Sequence, residues 1–260
     1  TMYDKRILYQ THDVTGLLRP GPNAIGALLG DGWYRMRKQI DWFGGLERFP
    51  GFFRADDRWL LAQLEIEYED GSRETVVTDR SWKCHTDGPL RRALIFDGVE
   101  YDAGKEIPGW DAPGLAESGD WKPVVDQPVS ESPALSAQMM EPIRVRRELE
   151  PVARTEPAPG VFVFDFGEQI LGAYRIRVHG RPGTEIKIRH AEKLRRDGHL
   201  YVANLMGLCD QEHRLRLGSG GPQTFAPRFT LYGFRYLEVT GVDSARAIRS
   251  IEALELTSDV

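Results

Sequence analysis

Apolar and polar residues alternate at every second position along much of this chain, and no other pattern restricts its fold as strongly. Leu64, Ile66 and Tyr68, for example, are separated by glutamates. Because successive side chains of a β-strand point to opposite faces, this spacing predicts a strand with one buried and one solvated face. No long window places apolar residues at the three- and four-residue spacing of an amphipathic helix.

A turn signal follows this first run directly. Asp70-Gly71 separates it from a second strand-like run at residues 74–79. An Asp-Gly pair between two such runs predicts a β-hairpin in which both central residues of the turn take positive φ.

The second half of the chain repeats this organisation. Tyr174 and Ile176 alternate with arginines, and after a Pro-Gly turn at 182–183 the alternation resumes at Ile186 and Ile188. Further strand-like runs are 161–166, 234–240 and 247–256. Many short strands joined by Gly- and Pro-rich turns predict an all-β chain of sandwiches or barrels.

Residues 120–142 separate the two halves in composition. This stretch contains Pro123, Pro128 and Pro133 among several serines. Such a composition is typical of a linker or a long connecting strand. We therefore predict two tandem domains, residues 1–135 and 136–260.

Charge and composition restrict the partners of the chain. The net charge is −5 and lysine and arginine form no block or stripe, so a nucleic-acid partner is not expected. No apolar run approaches the roughly 20 residues of a membrane span, and residues 3–6 do not open a signal peptide. Cys84 and Cys209 lie far apart in no CxxC motif, which favours free thiols and a cytoplasmic over a secreted location.

Common catalytic and metal motifs are absent from the sequence. It contains no HExxH, no GxSxG and no P-loop. Of the six histidines, His190 and His199 alone are close together, and a zinc site needs more ligands. The histidines are therefore predicted to face solvent or to lie at the edge of the core.

Residues 9–32 combine a capping residue, a chain reversal and an apolar run. Asp13 is expected to cap a short turn at 14–18, and the Pro-Gly-Pro at 20–22 to reverse the chain. Residues 24–29 are predicted to follow as a buried strand. This frame resembles the jelly-roll domains of many glycoside hydrolases.

Further motifs of the first half narrow that resemblance to the bacterial α-L-rhamnosidases. Residues 29–35 read LGDGWYR, and Ser81-Trp82 follows a run at 61–69 that is similar in order and pattern. Residues 88–102 read GPLRRALIFDGVEYD, similar to the family pattern GP-I-RRA-x-x-YDGExYDA, with Val99 where that pattern has glutamate.

The second half resembles the concanavalin-like domain of the same family. Residues 164–172 read FDFGEQILG, and Ala173 follows in place of the usual tryptophan. RHAEKL at 189–194 and PRFTLYGFRYLEVTG at 227–241 come in the expected order. The resemblance covers nearly the whole chain and implies two β-sandwich domains in tandem, a jelly roll and a concanavalin-like sandwich.

The same resemblance implies that catalysis lies elsewhere. The catalytic carboxylates of this family are expected in an (α/α)6 barrel after residue 260, acting by inversion across a gap of about 6.5–9.5 Å. The chain alone is therefore expected to be inactive. Its implied role is accessory to the hydrolysis of terminal α-L-rhamnose from rhamnose-containing glycosides, with the barrel as its partner. Two alternatives stay open, a stand-alone carbohydrate-binding module and a purely structural support for the barrel.

Candidate sugar contacts centre on Asp31. A carboxylate accepts hydrogen bonds from sugar hydroxyls, and the indole of Trp33 can pack on the C–H face of a pyranose, although Trp33 can equally be a core residue. The resemblance also implies a calcium ion at this turn, with Asp31 as an oxygen ligand. Trp42 lies in an aromatic loop at 40–53, which forms either a sugar platform or a docking surface for the barrel.

Other polar candidates are assigned from the resemblance. Pro89, Asp97 and Glu100 lie in the 88–102 segment, which is expected to return to the rim that holds Asp31. The remaining polar residues of the matched motifs are predicted to brace the second sandwich: Glu168, Gln169 and Glu192.

Overall fold

The chain is almost entirely β-structure. The computed structural model describes residues 5–32, 35, 57–115, 119–126, 133–205 and 209–259. In these ranges the helical segments are three-residue 3-10 turns, and none has the length or apolar character to cross a membrane. The predicted all-β class is confirmed. The strands are β1 (Arg6–Tyr9), β2 (Gln63–Glu67), β3 (Arg73–Val77), β4 (Lys83–Cys84), β5 (Leu90–Leu94), β6 (Gly98–Asp102), β7 (Lys122–Pro123), β8 (Ala134–Ala137), β9 (Ile143–Leu149), β10 (Ala153–Ala158), β11 (Val161–Val178), β12 (Glu185–Ala191), β13 (Lys193–Leu194), β14 (Leu200–Tyr201), β15 (Glu212–Arg216), β16 (Gln223–Phe225), β17 (Tyr232–Thr240) and β18 (Ile248–Ser258).

One large sheet dominates the molecule. Its strand order is β5-β6-β15-β12-β17-β11-β18-β9, and β10 and β16 also pair with β11. The 18-residue strand β11 changes register against β17 between Asp165 and Ile170, where Gly167 takes a φ of +81°. A register shift of this kind bends a strand and increases its twist. The long strand thus lets the sheet curl around its core.

The core lies along the predicted alternation of the second half. Ile176, Ile186 and Ile188 are fully buried and belong to the same core cluster as Phe234 and Leu237 of β17. Burying an aliphatic or aromatic side chain of this size contributes about 1.5–3 kcal/mol. The strand predictions at 174–178 and 186–188 are confirmed.

A hairpin from the first half completes this sheet. β5 and β6 pair with each other, and β6 runs parallel to β15 with Glu100 opposite Arg214 and Asp102 opposite Arg216. Val99 is fully buried in the main core cluster. The hairpin precedes residue 135 and yet shares the core of the strands after residue 143. The division into 1–135 and 136–260 stays a prediction.

Two histidines lie at the centre of the core, so the predicted solvent-facing or core-edge position is wrong for them. His190 and His213 are each 1% exposed. The His190 Nδ1 lies 2.9 Å from the Gln211 carbonyl oxygen, and the His213 nitrogens lie 3.0 and 3.1 Å from the hydroxyls of Tyr174 and Thr230. These hydrogen bonds offset the lost hydration of both nitrogens of His213 and of Nδ1 of His190, whereas His190 Nε2 is buried without a partner.

Burial shifts the titration of both rings. It lowers the pKa of His190 to about 4, against a weaker opposite effect of the Gln211 carbonyl. Burial also lowers the pKa of His213, and the neighbouring His190 lowers it further. Both imidazoles are therefore neutral at physiological pH.

The hairpin predicted around Asp70-Gly71 is confirmed, with one correction. β2 and β3 pair antiparallel, and Gly71 takes a φ of +81°. Asp70 does not take positive φ, so the turn differs from the predicted one. The backbone N–H of Tyr68 donates to Ser72, and the Asp70 carboxylate accepts from the Ser72 N–H at 2.9 Å. This side-chain hydrogen bond stabilises the turn without a second left-handed residue.

The segment 24–29 forms no strand with any described residue, and its residues are exposed except for the half-buried Leu29, so the predicted buried strand is wrong. Two aromatic rings hold it instead. A Cβ at Gly26 would meet the Trp110 ring at 2.5 Å, and a Cβ at Gly30 would meet the Phe229 ring at 2.8 Å. Upstream, Asp13 accepts the Thr15 N–H at 2.9 Å, so the predicted hydrogen bond forms, although Val14 and not Asp13 is the N-cap of the 3-10 turn at 15–17.

The buried histidines make stability dependent on pH. The unfolded chain binds protons at its histidines below about pH 6.5, whereas the folded His190 ring stays neutral until about pH 4. Stability is thus lost as pH falls through this window, by up to about 1.4 kcal/mol per pH unit for each histidine. We expect His190→Gln to flatten the pH dependence of the unfolding free energy, measured by urea titration between pH 7 and 5. The exposed His12→Gln is the control, and an unchanged slope in His190→Gln would contradict the account.

The close approach of β6 to β15 is a second target. Gly98 takes a φ of +113°, and a Cβ there would overlap the Glu212 carbonyl of β15. We expect Gly98→Ala to destabilise the chain by about 2 kcal/mol or more, because the alanine would have a strained positive φ and its Cβ would overlap the Glu212 carbonyl. Gly88→Ala, which meets no atom within 4 Å, should change the unfolding free energy by less than about 0.5 kcal/mol. Equal effects of the two substitutions would exclude a tight β6–β15 contact.

Candidate functional site

The turn that carries Asp31 lies along the edge of β5 that faces away from β6. The backbone N–H groups of Asp31 and Gly32 donate to the Ala93 carbonyl at 3.0 and 3.3 Å. Gly32 also forms an isolated parallel bridge with Leu94. The large sheet therefore fixes the backbone of the predicted sugar-binding turn.

Asp31 is 8% exposed, and its side chain is held by two arginines. Its Oδ1 lies 3.0 Å from Nη1 of Arg35 and 2.7 Å from Nη2 of Arg58. Hydrogen bonds between ionised groups are stronger than neutral ones. Both arginine side chains are partly exposed, so the turn offers guanidinium donors to solvent, while the carboxylate that holds them is nearly buried.

The described surroundings of Asp31 do not fit a calcium ion. Calcium takes six to eight oxygen ligands, whereas Asp31 Oδ1 already accepts from two cations. In the described ranges no group of three or more His, Cys, Asp or Glu residues is arranged to hold a metal ion.

Asp97 and Glu100 converge on one arginine. Arg92 Nη2 lies 3.0 Å from Glu100, and its Nη1 lies 4.0 Å from the almost fully buried Asp97. β5 lies between β6 and the Asp31 turn. Because neighbouring strands lie about 4.8 Å apart, the backbone of β6 at Glu100 lies about two strand spacings from Gly32.

The other predicted site residues do not join this cluster in the described structure. Pro89 lies at the opposite end of β5, where its carbonyl accepts the Asp102 N–H at 2.8 Å. Trp33 and Trp42 lie outside the described residues. Their roles stay predictions. Among the residues expected to brace the second sandwich, Glu168 forms an ion pair with Arg147.

Sequence reasoning missed the aromatic residue beside the turn. Phe229 precedes β17, is 38% exposed and places its ring against Gly30. Its φ of +70° is a left-handed conformation that a bulky aromatic residue rarely adopts. Such strain costs about 1–3 kcal/mol and concentrates at functional sites. The PRFTLYG motif marked this segment, but no local signal predicts a left-handed phenylalanine.

Family models identify both halves of the chain. The α-L-rhamnosidase N-terminal domain matches residues 1–147, and the bacterial α-L-rhamnosidase concanavalin-like domain matches residues 155–257. The chain belongs to the bacterial α-L-rhamnosidase family. The resemblance found in the sequence motifs is confirmed.

Curated α-L-rhamnosidases are similar along nearly the whole chain. The protein from Streptomyces avermitilis is 40% identical over 96% of this chain, and that from an Alteromonas species is 32% identical over 95%. These matches cover 23% and 26% of the two relatives. The chain thus spans about a quarter of their length.

Solved rhamnosidases share the fold. The Dictyoglumus thermophilum α-L-rhamnosidase superposes with a TM-score of 0.84 at 34% identity, covering 100% of this chain and 27% of that one. The Streptomyces avermitilis α-L-rhamnosidase complexed with L-rhamnose gives a TM-score of 0.83 at 34% identity, covering 100% and 24%. This chain therefore corresponds to the N-terminal and concanavalin-like domains of α-L-rhamnosidases.

The charge cluster at Asp31 can be tested by stability. Asp31→Asn removes the ionised acceptor of two arginines at a nearly buried position, and we expect a loss of about 1–3 kcal/mol in unfolding free energy. Asp126→Asn removes an exposed ion pair with Arg80 and should change it by no more than about 1 kcal/mol. Chemical denaturation measures both variants. An unchanged unfolding free energy in Asp31→Asn would show that the ion pairs of Asp31 with Arg35 and Arg58 do not stabilise the fold.

Proposed function

We propose that the chain is the accessory region of an α-L-rhamnosidase, which recognises rhamnose-containing glycosides while a catalytic barrel outside these residues cleaves them. The observation that carries this proposal is the whole-chain structural similarity to α-L-rhamnosidases, including one crystallised with L-rhamnose. Terminal α-L-rhamnose is the substrate that this family membership supports.

The Asp31 turn has the chemistry of a sugar site. Arg35 and Arg58 offer donors for hydroxyl oxygens, and the Asp31 carboxylate between them orders both. The exposed ring of Phe229 beside Gly30 supplies an apolar face on which the C–H face of a pyranose can pack. Sugar sites commonly combine an aromatic surface with a few oriented polar groups.

The described carboxylates of this region favour binding over hydrolysis. Inverting hydrolysis needs one carboxyl group as acid and another as base on opposite faces of the sugar. Asp31 is held by Arg35 and Arg58, and Glu100 by Arg92. We therefore place the glycosidic chemistry outside these residues.

Structural support of the barrel is the second function, and exposed apolar side chains favour it. Large apolar residues stand in solvent in both halves: Leu17, Ile25, Leu61, Met139 and Ile143 are all more than half exposed. Extended exposed apolar surface commonly marks an interface. A region that both binds sugar and packs against a barrel would present substrate to the catalytic carboxylates.

Titration with L-rhamnose tests the recognition role. We expect saturable NMR shifts at the amides of Asp31, Gly32 and 93–97 at millimolar sugar, since these groups surround the turn. Arg58→Met should weaken binding about tenfold by removing a charged hydrogen-bond donor, worth about 1.5–3 kcal/mol. Arg80→Met, at an exposed pair elsewhere, should leave the affinity unchanged.

Absence of shifts at millimolar L-rhamnose, with and without added calcium, would refute recognition by this turn. Shifts that persist in Arg58→Met would place the sugar elsewhere. If no sugar binds and a separately produced barrel raises the melting temperature of the chain, structural support is the better account.

A further inference from the structure

Gly233 leaves a side-chain-sized space on the outer face of β17. Its neighbours Tyr232 and Phe234 belong to the core, so position 233 faces away from it. A Cβ at this position would lie 3.5 Å from Oε1 of Glu192 and 3.9 Å from Nε2 of Gln169. Both polar atoms therefore border one point, and a single small group placed there can reach both.

The two side chains at this space are available to a ligand. Glu192 and Gln169 are both exposed. Neither forms a hydrogen bond or an ion pair with another residue in the described ranges. A bound group would therefore not have to displace an existing contact of either side chain.

The surroundings of this space combine apolar and polar surface. Leu171 of β11 lies directly opposite Gly233 in the strand pairing, so its side chain is on the same face, and it is 54% exposed. Tyr201 and Asn204 line, together with Glu192 and Gly233, a cleft of about 30 Å³. A water molecule needs roughly 10–15 Å³. The cleft therefore admits one or two hydroxyl-sized groups, and the rest of a ligand would lie across its opening.

The bordering atoms select a neutral ligand that both donates and accepts hydrogen bonds. Oε1 of Glu192 accepts, and Nε2 of Gln169 donates. A cation would leave the amide donor unpaired, and an anion would be repelled by the carboxylate. Adjacent hydroxyls of a pyranose satisfy both atoms, since a hydroxyl donates one hydrogen bond and accepts others. Leu171 then offers apolar surface to the C–H groups of the same ring.

We propose that this cleft is a second sugar site, which binds a rhamnosyl unit through two adjacent ring hydroxyls. The choice of rhamnose rests on the proposed function, because membership of the α-L-rhamnosidase family supplies the sugar. The elements that form this site differ from those that carry the Asp31 turn, so the two sites are expected to bind independently. Gly233 controls access, because a side chain there would fill the space beside Glu192 and Gln169.

Titration with methyl α-L-rhamnopyranoside tests the site in the 260-residue chain. We expect saturable NMR shifts of the Gly233 amide, the Gln169 side-chain amide and the Leu171 methyl groups at millimolar sugar. Glycerol carries adjacent hydroxyls without a ring and should give no saturable shift at the same concentration. Arg58→Met, which weakens the proposed site at Asp31, should leave these shifts unchanged, so the two sites are measured separately.

Gly233→Ala closes the space without disturbing the fold. Its Cβ would make ordinary contacts at 3.5 and 3.9 Å, and the backbone has no positive φ here, so the urea midpoint should stay unchanged or rise. We expect the affinity for the rhamnoside to fall about tenfold, because hydrogen bonds to the bordering side chains are lost. Gly88→Ala, whose Cβ meets no atom within 4 Å, should bind as the parent does.

Two exposed glutamates provide a second matched pair. Glu192→Ala removes the acceptor and should weaken binding about fivefold, in the range of one hydrogen bond. Glu150→Ala removes an exposed carboxylate that does not line the cleft and should leave the affinity unchanged.

Three outcomes would overturn the proposal: no saturable shift at Gly233, an equal shift with glycerol, and unchanged affinity in Gly233→Ala. Shifts confined to the Asp31 turn would leave the proposed function intact and exclude this second site. Shifts confined to Gly233 and its neighbours would support the second site and refute recognition by the Asp31 turn. If a separately produced barrel broadens the Gly233 resonance and no sugar shifts it, the cleft is a domain contact and the sugar assignment is wrong.

Discussion

The parallel pairing of β6 with β15 is the contact on which the rest of the architecture depends. It joins a hairpin from the first half of the chain to the sheet built by the second half. The hairpin contributes Val99 to the common core, and β5 offers its outer edge to the Asp31 turn. Since Gly98 faces the Glu212 carbonyl with no room for a side chain, the approach is set by backbone geometry. The turn proposed to recognise sugar is therefore positioned by strands that follow it in sequence.

The two core histidines connect this scaffold to the surface. The Gln211 carbonyl accepts both the His190 backbone N–H and Nδ1–H, and Gln211 takes a positive φ of 45°. On the other side, His213 bonds to Thr230, directly after the left-handed Phe229. Strained residues persist where their surroundings over-determine them. Each buried ring thus stabilises a strained segment, one at Gln211 and one beside the Asp31 turn.

Sequence reasoning succeeded where local physics decides the structure. Alternation at 174–178 and 186–188 predicted core strands because one face of each is buried, and the hydrogen bond of Asp13 was predicted because it involves nearby residues. It failed where distant contacts decide. Residues 24–29 read as a strand, but Gly26 and Gly30 receive aromatic rings from Trp110 and Phe229, far along the chain. The burial of His190 and His213 likewise depends on hydroxyl and carbonyl partners that no spacing reveals.

In the candidate site, too, some residues were predicted from the sequence, and the contacts between distant residues were not. Asp31, Asp97 and Glu100 were identified by resemblance, and the structure brings the latter two onto Arg92. The arginines that hold Asp31 were missed, because an ion pair between positions 31 and 58 leaves no sequence pattern.

The account's central claim is that this region recognises rhamnosides and leaves their cleavage to residues beyond it. Incubation of the 260-residue chain with p-nitrophenyl α-L-rhamnopyranoside tests it most directly. The account predicts no nitrophenolate release above the uncatalysed rate, and saturable hydrolysis that tracks the purified chain would contradict it.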